Sequence, residues 1–171
     1  MTAPAREVLI SQVRTPDEIE AVRELLREYT AWVFTLAAES EFAPTFHKLR
    51  QELATLPGIY APPAGRLLLA THGGEAAGCI ALKPHDSTMA EVKRVYVRPG
   101  FRGLAIGQRL IAAVVVEARL AGYRRLFLDS HASMTKAHAL YEAAGFRRMP
   151  PPPDFPEELK SIVIFMEMEL R

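Results

Sequence analysis

The ten residues 101–110, FRGLAIGQRL, decide how the chain is read. They follow a β-branched run, EVKRVYVR (91–98), that closes at Pro99-Gly100, and they open a run with helical spacing, LAIGQRLIAAVVVEARLA (104–121). Strand, glycine-and-arginine turn, long helix is an arrangement with a chemical meaning. The first turn of a helix leaves backbone N–H groups unpaired and carries partial positive charge. Glycines let a ligand come close to that backbone, so the turn is a candidate anion site, most naturally for phosphate. Between Val92 and Val116 stand Lys93, Arg94, Arg98, Arg102 and Arg109 and no acid, which predicts positive charge gathered at the turn. Two other phosphate motifs are missing: no glycine is followed by Lys and Ser/Thr, and there is no G-x-G-x-x-G.

Working outward, VLISQV (8–13) predicts a first strand. TPDE then starts a helix, with Thr15 at the N-cap, Pro16 at N1 and Glu18 at N3, a capping box. Ile19, Val22, Leu25, Leu26 and Tyr29 continue it at helical spacing, and a less regular helical stretch runs to about Leu56. RLLLATH (66–72) and AAGCIALK (76–83), joined by Gly73-Gly74-Glu75, predict a hairpin. In 104–121, Leu110, Val114, Ala118 and Ala121 share one face, and Gly122 suits the left-handed C′ position. RLFLD (125–129) predicts a buried strand, MTKAHALYEAA (134–144) a short helix ending at Gly145, and SIVIFMEMEL (161–170) the last strand. The proline run 150–153 is a loop. The resulting order, β-α-α-β-β-β-α-β-α-(β)-β, specifies an α/β (α+β) fold: a mixed central sheet of about six or seven strands flanked by about four helices.

Composition narrows the function classes. The 171 residues, 49% apolar and 24% charged, predict a single domain, 1–171, with a sizeable core. A net charge of +1 gives no global attraction to nucleic acid or membrane, and aromatic residues are only 8%. Cys79 is the one cysteine, which excludes an intrachain disulfide, and its apolar surroundings predict a buried strand position. The N-terminus has no signal-peptide pattern and no run is long enough to span a bilayer, so a cytoplasmic protein is expected. The five histidines, His47, His72, His85, His131 and His138, show no zinc spacing, and no metal is expected; surface roles are expected for His131 and His138.

VKRVYVRPGFRGLAIGQRLI resembles the central motif of the GNAT superfamily of acetyl-CoA-dependent N-acetyltransferases, Arg/Gln-x-x-Gly-x-Gly/Ala after a valine-rich strand. Here it reads Arg102-Gly103-Leu104-Ala105-Ile106-Gly107. KAHALYEAAGF (136–146) resembles the family's second signature, A-x-x-L-Y-x-x-x-G-F, and the element order matches over almost the whole chain. EVKRVYVRP, the LDS…M segment and FMEMEL are similar to a broad bacterial branch whose members mostly lack an assigned substrate. The chain departs from the pattern at Ala105, where the family has its first glycine. If that residue needs a positive φ, alanine costs about 1–2 kcal/mol; if it is needed only for close approach, one methyl must be accommodated, and weakened cofactor binding at most is expected.

The resemblance implies acetyl transfer from acetyl-CoA to a primary amine of a small molecule or peptide, by direct attack in a ternary complex. A non-catalytic CoA-binding module with the same fold is the alternative. The backbone of Arg102, Gly103, Leu104, Ala105, Ile106, Gly107 and Gln108 would hold the CoA pyrophosphate. Val95, Tyr96 and Val97 would bond the pantetheine arm as an added strand, with the Val95 amide polarising the thioester carbonyl. Glu91 is the candidate base, directly or through a water, against the plainer reading of a strand acid paired with Lys93 or Arg94. Tyr141 is the candidate acid toward the CoA sulfur, against the plainer reading of a core aromatic. Met134 stands where many relatives have a cofactor-bonding Asn, and no role is assigned to it. Glu39, Glu41, Asp154, Glu157 and Glu158 fall in segments that line the acceptor side in that family. Relatives are often homodimers, and no nucleic acid or membrane partner is expected.

Overall fold

The computed structural model describes residues 7–37 and 43–171. A seven-stranded sheet runs through it in the order β1-β2-β3-β4-β5-β7-β6. The strands are β1 (Val8–Gln12), β2 (Arg66–His72), β3 (Glu75–Pro84), β4 (Met89–Val97), β5 (Arg125–His131), β6 (Arg147–Met149) and β7 (Val163–Glu169). All neighbours are antiparallel except β4 and β5. Four helices join them: α1 (Pro16–Ala37), α2 (Ala43–Ala54), α3 (Ile106–Leu120) and α4 (Thr135–Ala144). This is the predicted mixed sheet with its flanking helices.

The local signals act as their chemistry requires. At the start of α1 the Glu18 amide donates to Thr15 Oγ1 at 3.2 Å, and the Thr15 amide donates to the Glu18 carboxylate at 2.9 Å, so both halves of the capping box form. Gly73 and Gly74 turn between β2 and β3 with φ of 59° and 86°, the geometry a two-residue hairpin turn needs. α3 begins at Ile106 and not at Leu104, because Ala105 sits in the left-handed region at φ 57° and cannot belong to the helix. Gly122 (φ 90°) and Gly145 (φ 106°) end α3 and α4.

Two apolar layers cover the sheet. Ile106, Leu110, Ile111 and Val114 of α3 pack with Ile80, Leu82, Val92, Leu126, Leu128 and Met166 on one face. On the other, Val22, Leu25 and Leu26 of α1 pack with Leu67, Leu69, Cys79 and Tyr96. Cys79 is fully buried, and burial pushes its thiol up to about 12, so it is an inert core side chain.

Two features of β4 position the site. Opposite β3, Tyr96 pairs with Cys79 but Lys93 pairs with Ala81, so two residues, Arg94 and Val95, face one. This is a β-bulge, with Arg94 at φ 60°. On its other edge β4 pairs with β5 only at Met89–Arg125, Ala90–Leu126 and Glu91–Phe127. Past Glu91, before the bulge, the two strands part, and the sheet carries an open splay between them.

Candidate active site

Polar backbone groups face that splay. The Arg98 amide donates to Ala77 O of β3 at 2.9 Å. Along an extended strand direction alternates, so the N–H and C=O of Val97 and Val95 point away from β3, where β5 no longer pairs. The Val97 carbonyl accepts a bond from Arg102 Nε at 3.3 Å, in keeping with that direction. Facing them is the start of α3. The Arg109 amide is the first to bond within the helix, to Ala105 O at 3.0 Å, leaving the amides of Ile106, Gly107 and Gln108 without a helical acceptor.

These two sets open into one cleft of about 740 Å³. Nine of the ten predicted cofactor-binding residues line it: Val95, Tyr96, Val97, Arg102, Gly103, Ala105, Ile106, Gly107 and Gln108. Leu104 does not, and its side chain is exposed. A Cβ on Gly107 would lie 3.3 Å from Leu140 Cδ1, so the absence of a side chain there keeps the cleft open between α3 and α4. A diphosphate at these amides and an extended amide-bearing arm along Val95–Val97 both fit this lining.

The charge reading of the turn needs correction. Of the five cations between Val92 and Val116, three are tied elsewhere. Lys93 pairs with Glu91 at 3.1 Å, Arg94 with Glu52 at 2.8 Å, and Arg98 with Glu28 at 2.7 Å. Their partners come from distant helices or from the strand itself, which a window free of acids does not show. Arg109 reaches Val8 O at 2.8 Å. Arg102 and Lys136 are the charged residues of the lining, which contains no acid, so the cleft still favours an anion.

The candidate catalytic residues Glu91 and Tyr141 are not in the lining of the cleft. Glu91 sits on β4 where the β5 pairing ends, its side chain 12% exposed and bonded to Lys93. Tyr141 is buried on α4, its ring 5.9 Å from that of Phe146, and burial pushes its phenol far above the ordinary tyrosine value, keeping the proton on. His138 corrects the surface expectation: it is 2% exposed, with Nε2 3.1 Å from Ser130 Oγ, and it fastens α4 to the end of β5. Burial holds its imidazole below the ordinary value. His131 is half-buried. Glu39 and Glu41 lie outside the described residues, and Asp154, Glu157 and Glu158 are exposed.

Sequence reasoning missed several lining residues. Trp32 enters from α1, 39% exposed, its ring 6.2 Å from that of Tyr29, which in turn meets Tyr96 edge-on at 6.0 Å. Ser133, Met134, Thr135 and Lys136 line the far wall at the start of α4. Trp32 and Tyr29 stand three residues apart, one helical face, which was the available signal. Among the described residues no cluster of His, Cys, Asp and Glu has the makings of a metal site, and no helix is long and apolar enough to cross a membrane.

The family model described as acetyltransferase (GNAT) matches residues 19–146. An uncharacterized N-acetyltransferase of Schizosaccharomyces pombe is 32% identical over 146 residues, covering 84% of this chain and 85% of that protein. An IAA acetyltransferase of Azospirillum brasilense is 38% identical over 112 residues, 64% of this chain and 71% of that protein. In fold, the chain is similar to the PaiA N-acetyltransferase of Thermoplasma acidophilum in complex with coenzyme A. That match has a TM-score of 0.74 at 18% identity and covers 95% of this chain and 99% of that one. A GNAT acetyltransferase of Elizabethkingia anophelis with acetyl-CoA bound matches with a TM-score of 0.61 at 24% identity, covering 95% and 98%.

Proposed function

The chain belongs to the acetyltransferase (GNAT) family, and from that premise we propose that it moves the acetyl group of acetyl-CoA onto a primary amine by direct attack in a ternary complex. One observation carries the reading: the unpaired edge of β4 at Val95–Val97 and the free amides of α3 open into the same cleft. The relatives solved with coenzyme A or acetyl-CoA support that cosubstrate.

The Ile106, Gly107 and Gln108 amides hold the diphosphate, helped by Arg102 and by the positive end of α3. Val95 and Val97 bond the pantetheine amides as a neighbouring strand would. The Val95 N–H then lies along the arm toward the thioester and polarises its carbonyl, a donor fixed before the reaction begins. The amine nitrogen bonds to the carbonyl carbon, the carbon–sulfur bond breaks, and its electron pair goes to sulfur. Tyr141, kept protonated by burial, supplies the proton that sulfur takes up. Glu91 accepts the proton the ammonium must lose; because Lys93 already occupies its carboxylate, its route runs through a water. Overall an ammonium and a thioester give an amide, a thiol and one proton released.

Calorimetric titration with acetyl-CoA, CoA and dephospho-CoA, followed by an amine screen, tests this. Micromolar binding that weakens without the 3′-phosphate, with the emission of Trp32 changing on binding, is the expected result; this is the chain's single tryptophan. Binding with no transfer to any amine would return the chain to a CoA-binding module. No binding at millimolar ligand would remove the proposal.

A further inference from the structure

The junction between β5 and α4 carries two serine–histidine pairs that the proposed reaction does not use. In the buried pair, His138 Nε2 lies 3.1 Å from Ser130 Oγ, and that hydroxyl donates to Met134 Sδ at 3.6 Å. Ser130 therefore receives its bond from the ring, and its proton is turned away from the histidine. The other pair is His131 and Ser133, with His131 Nδ1 2.7 Å from Ser133 Oγ. The Ser133 amide also donates to His131 Nδ1, at 3.2 Å. An amide N–H can only donate, so Nδ1 presents a lone pair, and the Ser133 hydroxyl is the donor in the shorter contact.

This second pair has the two parts of an activated nucleophile, a hydroxyl and a base within hydrogen-bond reach. Its backbone is fixed on both sides. The Ala132 amide donates to Ile162 O at 2.8 Å, the Met134 amide to His131 O at 3.0 Å and the Thr135 amide to Ser133 O at 2.9 Å. Ser133 is exposed and lines the cleft, and so does Val95, whose amide is aimed at the thioester carbonyl in the proposed reaction. Ser130 is not part of that lining. We propose that Ser133 is a self-acetylation site: without an amine in the cleft, its hydroxyl takes the acetyl group of bound acetyl-CoA. Ser133 Oγ bonds to the carbonyl carbon while its proton passes to His131 Nδ1. The carbon–sulfur bond breaks, its electron pair goes to sulfur, and the thiolate takes the proton back from His131. A serine and a thioester give an O-acetylserine ester and a free thiol, and nothing else is consumed. The inference rests on the acetyltransferase reading and adds to it a covalent state of the enzyme.

The full chain is incubated with acetyl-CoA and no amine. Thiol release, intact mass and peptide mass maps are followed for the wild type, Ser133→Ala and His131→Asn. Asparagine keeps an oxygen for the Ser133 amide but is not a base. Expected for the wild type is an acetyl group on Ser133, removed by alkaline hydroxylamine as an ester is, with thiol released in equal amount. Ser133→Ala loses this ester, and His131→Asn forms it about a hundredfold more slowly, the contribution of a positioned general base. A wild-type chain that binds acetyl-CoA but carries no ester on Ser133 overturns the inference and leaves the acetyltransferase reading intact. So does a His131→Asn chain acetylated there within about threefold of the wild-type rate. A wild-type chain that binds no acetyl-CoA removes that reading and this inference together.

Discussion

Ala105 is the residue at which this chain differs from the pattern it otherwise follows, and its backbone answers the question the sequence raised. At φ 57° it occupies the conformation that favours glycine. An L-residue there costs about 1–2 kcal/mol, of which glycine's extra unfolded-state freedom would take back about 0.5–1. Ala105→Gly is therefore expected to stabilise the protein by about 0.5–1 kcal/mol in urea unfolding. CoA affinity should not fall, because the amides of 106–108 keep their directions. A destabilised variant would mean that Ala105 does not hold this conformation. The position was legible as a departure from a motif, but its φ was not: nothing about an alanine between leucine and isoleucine announces a left-handed residue. Gly107 was legible because it keeps the small residue the motif has there, and a Cβ at that position would lie 3.3 Å from Leu140 Cδ1.

At the scale of elements, strands, caps and turns were written locally and could be read locally. The bulge in β4 was not. It rests on Arg94, a long cation in a strand with no glycine near it, held by a partner 42 residues earlier in the chain. Glu52 of α2 receives both Arg94 Nε and Nη2 at 2.8 Å and also the hydroxyl of Tyr60 at 2.5 Å. Burial works against the charge of Glu52, but the guanidinium and the phenol outweigh it and keep the carboxyl below its ordinary value. The pair fixes α2 to the strand that shapes the cleft. Both side chains are mostly buried, at 11% and 15% exposure, so removing one leaves the other's charge stranded. Glu52→Ala is expected to cost about 3 kcal/mol by chemical denaturation. A cost below about 0.5 kcal/mol would class the pair with exposed ion pairs, which contribute little.

Over the whole molecule, stability should depend on pH through His138. Burial is the main cause of its depressed value, with the charge of Arg148 adding to it; Glu142 and the His131 carbonyl act the other way. In the unfolded chain the imidazole titrates near its ordinary value of 6.5, so below that pH the unfolded state binds the proton first. Stability contributed by the neutral ring is present above pH 6.5 and is lost as pH falls below it. Unfolding midpoints measured between pH 5 and 7.5 should fall toward acid in the wild type, and His138→Gln should be less stable at neutral pH with a flatter profile over that range. Equal slopes for the two proteins would remove His138 as the titrating group. Its burial was readable after all: His138 follows Met134 by four residues and precedes Tyr141 by three, which puts it on the inner face of α4. The sequence order of the elements likewise carried the sheet. What it did not carry was where the arginines find their partners, because Glu28 and Glu52 meet Arg98 and Arg94 only after the chain has folded, whereas the local pair of Glu91 with Lys93 was legible.

The open edge of β4 has a consequence for how such a protein changes over generations. Its donors at Val95 and Val97 belong to the main chain, and so do those of the first turn of α3. Almost any side chain can be exchanged along these segments without deleting a single one of those donors. On the proposed reading, selection on the acceptor can change side chains around the opening, while the grip on the acyl donor is inherited with the shape of the backbone. On that reading, a lineage can change what it acetylates without changing the backbone groups that hold the acyl donor.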